Sequence, residues 1–217
     1  MLDNIPSLNK GSSSIPRIVC KKRQILDGAR QTFLQNGYAD ASMEEIAVQA
    51  GVSKGTLYNH FRNKDDLFKS LIHVEASRVA GKLPSPNLAE PNSVSALMPI
   101  GIAILQVMED STTVMTLRLI IGAAGRFPNL GEEFLTRSLG PTVECIAEYL
   151  NTHGAAGGIQ IQDSHATAEQ FTRWCLARTA ERVLMPDRPR ITGADCSAWV
   201  KQALRASGIS SGAHHHA

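Results

Sequence analysis

A run of polar side chains just before Phe61 carries the clearest chemistry in the sequence. It combines one positive charge with several hydrogen-bonding groups, in Lys54, Thr56, Tyr58, Asn59 and His60. Such groups hydrogen-bond to phosphates and to the edges of bases. They crowd the start of a predicted helix, where the helix dipole favours anions. The residue types therefore predict a surface that binds double-stranded DNA.

The same run satisfies the pattern G-x-S-x-G, which marks the nucleophile of α/β-hydrolases, with Gly51, Ser53 and Gly55 at its fixed positions. That motif requires a strand before the serine and an oxyanion hole beside it, whereas a capped helix is predicted here. We therefore interpret Ser53 as a helix N-cap. The glycine-rich residues 154–158 lack the Lys-Ser/Thr of a P-loop. We expect no catalytic residue, no metal site and no cofactor.

Two short helices joined by a tight turn are predicted to position these side chains. Ser42 followed by Glu45 forms a capping box, so one helix begins just after Ser42. Gly51 supplies the left-handed residue at which that helix ends. The next helix places Leu57 and Phe61 on its inner side and leaves the polar groups outside. This is the pattern of a helix-turn-helix, whose second helix enters the DNA major groove.

The segment resembles the signature of tetracycline-repressor-type (TetR-family) regulators. The resemblance rests on Ala47–Phe61 and Asn63–Leu67, and it extends over roughly residues 21–71. Together with the side-chain chemistry, it implies a DNA-binding surface formed by Ser42, Ser53, Lys54, Gly55, Thr56, Tyr58, Asn59, His60 and Lys64. It also implies a homodimer that binds a palindromic operator, because one recognition helix reads only a few base pairs.

Composition agrees with this interpretation without requiring it. The chain has 217 residues and a net charge of only +2. Residues 1–84 hold 12 Lys and Arg against 8 Asp and Glu, whereas residues 85–217 hold 10 against 12. The basic half is therefore the half with the predicted helix-turn-helix. No apolar run has the length of a membrane span and no signal peptide is evident, so we expect a cytoplasmic protein without membrane contact.

The chain is predicted to be all-α, with an N-terminal DNA-binding domain and a larger helical domain for ligand binding and dimerisation. We expect a flexible arm over residues 1–16, a DNA-binding domain with its linking helix over 17–82, an effector and dimerisation domain over 93–208, and a flexible tail over 209–217. The first helix should end at Gly37 and the linking helix should begin at Asn63. Lys21, Lys22 and Arg23 are either phosphate contacts or a solvated face.

The C-terminal domain is predicted to consist of helices alone. Their expected bounds are Val94–Met108, Thr112–Arg126, Asn129 to about Thr152 with a bend at Gly140–Pro141, Ser164–Met185 and Thr192–Ala206. The four cysteines are widely spaced and are interpreted as reduced thiols. His214–His216 at the C-terminus are interpreted as a tail and not as a metal site.

The resemblance places an effector pocket among the middle helices. Candidate lining residues are Met98, Ile102, Leu105, Met108, Met115, Arg118, Leu119, Arg126, Phe127, Phe134 and Ile146, although core packing is the better explanation for most of them. Arg118 or Arg126 could face an anionic ligand or form a salt bridge, for instance with Glu144.

In the family, the last two long helices pair with their counterparts in the second subunit. The residues that this assigns to the interface are Phe171, Trp174, Arg178, Glu181, Trp199 and Leu204, with Cys175, Ala177, Val183, Leu184 and Val200 beside them. For the apolar members, a place in the core of the subunit is an equally good explanation.

We conclude from the sequence that the chain is a ligand-responsive transcriptional regulator, most simply a repressor. It would bind its operator as a dimer and be released by a small molecule. Two alternatives stay open: an activator of the same family, and a helical ligand-binding or scaffold protein with a vestigial DNA module.

Overall fold

The computed structural model describes residues 14–153 and 161–209, with side chains from residue 20. Within these ranges all regular structure is helical, so the all-α prediction is confirmed. The helices are α1 (Ser14–Asp40), α2 (Met43–Gln49), α3 (Lys54–His60), α4 (Lys64–Ala80), α5 (Ser93–Met108), α6 (Ser111–Gly122), α7 (Leu130–His153), α8 (Ser164–Leu176), α9 (Thr179–Leu184) and α10 (Gly193–Ala206). The glycine-rich residues 154–158, the histidines near the C-terminus and most of the predicted arm and tail lie outside the described residues.

The chain divides into two compact units, residues 1–71 and 72–217, with the division inside α4. The domain bounds predicted from the sequence remain predictions. Helix α1 begins at Ser14, ahead of the predicted start at Arg17. It is interrupted at Gly37, whose φ of 75° confirms the predicted stop.

The N-terminal unit is built by packing α1 against the helix pair α2–α3. An added Cβ at Gly28 of α1 would lie 2.7 Å from the backbone of Ala50, so only glycine permits this approach. The Gln24 side chain donates to the Ala50 carbonyl at 2.6 Å and thereby holds the end of α2. Buried Leu57 and Phe61 fix α3 on the same core.

In the C-terminal unit, α5 lies against α8 and α10. A Cβ at Gly101 would come within 2.4 Å of Val200 and 3.0 Å of Phe171, which shows how closely these helices approach. The apolar faces of α5, α7, α8 and α10 form the core. This close packing sets which residues of α8 and α10 remain at the surface.

Two predicted helix bounds were wrong. The helix predicted over Ser164–Met185 is two helices, because regular hydrogen bonding lapses at Ala177 and Arg178. Helix α6 ends at Gly122 and not at Arg126, and the Ala123 amide donates to several carbonyls of the last turn. Gly125, just beyond that point, lowers helix propensity and favours the stop.

Helix α7 remains helical through Pro141.

No single helix in the described ranges is long and apolar enough to cross a membrane, and α5 with α6 meet that criterion only as a pair bent by 63°.

Candidate functional site

The N-termini of α2 and α3 are capped as the sequence predicts. The Ser42 hydroxyl accepts from the Glu45 amide at 3.2 Å, and the Glu45 carboxylate accepts from the Ser42 amide at 3.0 Å, which completes the capping box. The Ser53 hydroxyl accepts from the Thr56 amide at 3.1 Å and contacts the Thr56 hydroxyl at 2.8 Å. Between the helices, Gly51 adopts a φ of 61°. Ser53 therefore acts as an N-cap, and the helix preceding it is incompatible with a nucleophile elbow.

Helix α3 presents two chemically distinct faces. Leu57 is fully buried, whereas the Tyr58 side chain is 43% exposed. The remaining predicted DNA-contacting residues of the helix are exposed or half-buried: Lys54, Gly55, Thr56, Asn59 and His60. The structure thus leaves the predicted residues of α3 accessible, whereas Leu57 faces the core.

Lys54 has a partner that sequence reasoning missed. Its ammonium forms an ion pair with the carboxylate of Glu44, in the first turn of α2, and both side chains are exposed. The hydrogen bond to Lys54 holds the pKa of the Glu44 carboxyl below its ordinary value, and the same contact raises the pKa of Lys54. The one Lys or Arg between Ser42 and Phe61 is therefore already paired in the free protein.

Lys64 is also engaged within the protein. Its ammonium donates to the carbonyls of Ala39 and Ala41, both at 2.8 Å, and lies 4.7 Å from the centre of the Tyr38 ring. Lysine carries three donors, so one N–H is left for a phosphate. The structure adds a helix-capping role to the predicted phosphate contact.

Two basic residues of α1 lie near the helix-turn-helix. The Lys22 ammonium is 5.7 Å from the centre of the Phe61 ring, at the end of α3. Lys21 donates to the side chain of Gln24 at 3.0 Å, and Gln24 in turn binds the Ala50 carbonyl. These contacts place positive charge near the C-terminal ends of α2 and α3.

The predicted effector-lining residues differ in how far they are buried. Leu105, Met108, Phe127, Phe134 and Ile146 are buried in the core. Met98 and Ile102 are half-buried, and Met115 and Arg126 are exposed. Core packing accounts for the buried members, and their role in ligand binding remains a prediction.

Arg118 and Glu144 do not form the suggested pair. Arg118 donates to the carbonyls of Val183 at 2.9 Å and Arg182 at 3.2 Å, at the C-terminal end of α9. This is a favourable place for a cation because helix C-termini carry partial negative charge. Glu144 instead contacts His165 at 3.1 Å.

The predicted interface residues fall into three groups. Phe171 and Leu204 are buried within the subunit core. Trp174 is 37% exposed, and the Trp199 indole donates to the Trp174 carbonyl at 3.2 Å, which joins α8 to α10 at the surface. A shallow cavity of 340 Å³ runs along the exposed face of α8, lined by Ala166, Glu169, Gln170, Arg173, Trp174 and Ala177.

The remaining interface candidates belong to a charged cluster. Arg178 lies beside buried Glu109, and Glu181 pairs with Arg188 at 2.9 Å. A second cavity, of 420 Å³, is lined partly by Arg178, Arg190 and Trp199. In the part of the chain that the structure describes, no group of three or more His, Cys, Asp or Glu side chains is arranged to hold a metal ion.

Comparisons with known proteins agree with these observations. Residues 25–71 match the N-terminal domain of bacterial regulatory proteins of the tetR family, and residues 95–207 match the C-terminal domain of AefR-like transcriptional repressors. The chain is 40% identical over 63 residues to the HTH-type transcriptional repressor Rv1474c of Mycobacterium tuberculosis, an alignment that covers 29% of this chain and 34% of that protein. The chain spans 34% to 38% of the length of the first curated relatives it matches.

Longer matches extend the likeness beyond the N-terminal unit. The regulator YvkB of Bacillus subtilis is 25% identical over 169 residues, which cover 76% of this chain and 85% of YvkB. The solved structure of the flavonoid-responsive regulator FrrA has a TM-score of 0.73 at 28% identity and covers 87% of this chain and 95% of FrrA. A regulator from Mesorhizobium loti has a TM-score of 0.71 at 26% identity, over 88% of this chain and 96% of that one.

The family matches confirm the family resemblance seen in the sequence, and they agree with the expectation that the chain is no enzyme, because the family consists of regulators. The chain belongs to the tetR family of bacterial regulatory proteins, with an AefR-like C-terminal domain.

Proposed function

We propose that the protein is a ligand-responsive transcriptional repressor that binds a palindromic operator as a homodimer. The observation that carries the proposal is the polar face of α3, with Tyr58 and Asn59 exposed and Leu57 buried behind them. A capped helix with hydrogen-bonding groups in its first turns suits the major groove. Several curated relatives are named transcriptional repressors, which supports repression.

The dimer is proposed to form through the exposed faces of α8 and α10. Trp174 and Trp199 supply aromatic surface there, and aromatic residues are enriched in protein interfaces. Gln170 of α8 donates to the carbonyl of Ala206 at 3.5 Å, which joins the two helices at a second point besides the Trp199–Trp174 bond. Two recognition helices in one particle would then address two half-sites of the operator.

A small molecule bound in the C-terminal unit is proposed to release the DNA. By linkage, such a ligand must bind the DNA-incompetent state more tightly than the DNA-bound state. FrrA is described as flavonoid-responsive, which supports a small-molecule effector as a class. Helix α4 crosses from one unit to the other and is the covalent route between them.

Selection of bound duplexes from a random pool, followed by sequencing, tests the function. The expected result is an inverted repeat, and enrichment of no sequence would contradict the proposal. Asn59→Ala should change the selected base at one position of each half-site, because an amide reads base edges. Recovery of the unchanged site would contradict the assignment of Asn59 to base recognition.

Light scattering on the purified chain tests the dimer. Trp174→Arg should yield monomers that bind DNA weakly. Leu88→Arg is the matched control, since Leu88 is an exposed apolar residue in the loop between α4 and α5. A Trp174→Arg variant that remains dimeric would contradict the proposed interface.

A further inference from the structure

We propose that Glu44 limits DNA binding by competing with DNA phosphate for the ammonium group of Lys54. The inference rests on the proposed function, because it concerns the surface through which α2 and α3 would meet DNA. It assigns a role beyond the start of α2 to a carboxylate whose side chain reaches across to α3.

The geometry of the pair places it where DNA would approach. Glu44 lies in the first turn of α2 and Lys54 is the first residue of α3. Their side chains are 58% and 60% exposed, so the pair bridges two helices at the surface and not in the core. The neighbouring Glu45 is already used by the capping box with Ser42, whereas Glu44 makes its contact across the turn to α3.

The charge balance of the segment makes this pair consequential. Lys54 is the one Lys or Arg from Ser42 to Phe61, and Glu44 neutralises it. The lowered pKa of Glu44 and the raised pKa of Lys54 have the same origin and agree with a mutual contact. The polar face of α3 therefore meets DNA with no uncompensated lysine.

Contact with phosphate then becomes an exchange of one anion for another. A free lysine that neutralises a phosphate releases condensed counterions, and each such contact steepens the dependence of log K on log salt by ~0.9. A lysine already held by a carboxylate must first give up that partner, which stays behind as an unpaired negative charge near the DNA. Glu44 thus weakens binding to every duplex and reduces the salt dependence.

The experiment measures, by fluorescence anisotropy, the affinity for a non-specific duplex of about two helical turns at several salt concentrations. It compares four proteins: the wild-type chain, Glu44→Gln, Lys54→Met and the double variant. Glu44→Gln should bind roughly two- to fivefold more tightly, as suits an exposed ion pair. Its salt slope should be steeper by up to ~0.9. In the Lys54→Met background, Glu44→Gln should give only the small gain expected from removing one negative charge.

Asp27→Asn is the matched control, because Asp27 is an exposed carboxylate of the same unit that pairs with Arg30 at 3.2 Å. It adds the same unit of net charge without touching Lys54. The inference would be overturned if Asp27→Asn and Glu44→Gln gave the same gain in DNA affinity. It would also be overturned if Glu44→Gln gave the same gain in affinity in the wild-type and Lys54→Met backgrounds. A wild-type chain that binds no duplex even at low salt would instead overturn the proposed function.

Discussion

Glu109 and Arg178 face each other inside the C-terminal unit, with the Arg178 Nε atom 3.6 Å from the Glu109 Oε1 atom. The other oxygen of Glu109 accepts the amide of Ile191 at 2.8 Å. The Arg178 guanidinium lies 5.4 Å from the centre of the Trp199 ring. One carboxylate at the end of α5 therefore holds both the α8–α9 junction and the segment that enters α10.

This pair predicts a large loss of stability when one partner is removed. Glu109 is 3% exposed and Arg178 is 17% exposed, so Arg178→Met leaves a carboxylate buried without its cation. We expect the free energy of unfolding to fall by roughly 3–5 kcal/mol, measured by urea denaturation. Arg178→Met combined with Glu109→Met should recover much of that loss. Additive losses would mean that the two charges do not interact.

Gly28→Ala should destabilise the N-terminal unit. The added methyl group would lie 2.7 Å from backbone atoms of Ala50, which cannot move without shifting α2. Overpacking of this kind costs roughly 1–3 kcal/mol. Thermal unfolding should show the loss, and an unchanged melting temperature would show that α1 and α2 can separate at little cost.

Gly55→Ala should stabilise the protein, unlike Gly28→Ala, and it tests separately whether Gly55 matters for DNA binding. A Cβ at Gly55 would meet only the Ser53 hydroxyl, at 4.0 Å, so helix propensity should stabilise α3 by roughly 0.5–1 kcal/mol. If Gly55 lets the helix approach the groove, operator affinity should fall although the fold is more stable. Unchanged affinity in anisotropy titrations would leave Gly55 with a helix-initiating role alone.

Lys64→Met should affect both the fold and the salt dependence. The carbonyls of Ala39 and Ala41 would lose a charged donor, with a cost of roughly 1–3 kcal/mol in urea denaturation. The third N–H of the ammonium is free for phosphate, so the salt slope of DNA binding should also flatten by ~0.9. Lys82→Met, in the turn after α4, controls for the lost charge. A stability loss with an unchanged slope would show that Lys64 only caps α1.

Cys175 predicts a loss of stability in alkaline solution. Burial raises the pKa of its thiol from 9.0 to about 12. Between these values the unfolded chain releases a proton that the folded protein keeps, so the free energy of unfolding falls as pH rises, by at most ~1.4 kcal/mol per pH unit. Below about pH 9 this contribution is fully present. Between pH 8 and pH 10.5, the urea midpoint of the wild type should fall further than that of Cys175→Ala. An equal fall in both proteins would contradict the assignment.

Local patterns in the sequence were sufficient for the helix-turn-helix. Ser42 and Ser53 cap helices through amides three residues away, and Gly51 makes the left-handed turn between those helices. Because these interactions are local, the sequence alone predicts where α2 and α3 begin and where α2 ends. The spacing of Leu57 and Phe61 likewise predicts the buried face of α3. The family resemblance could therefore be recognised from a short segment.

The partners of individual charged residues depended on tertiary structure. Arg118 reaches carbonyls 64 and 65 residues away, and Glu109 binds an amide 82 residues away. Lys54 turns toward Glu44, and Phe171 turns into the subunit core. A local pattern states which face of a helix is apolar, but the packing of helices decides which distant groups meet. The sequence by itself thus determined the helices and the candidate DNA-binding face, whereas only the fold decided which of its charges are already paired.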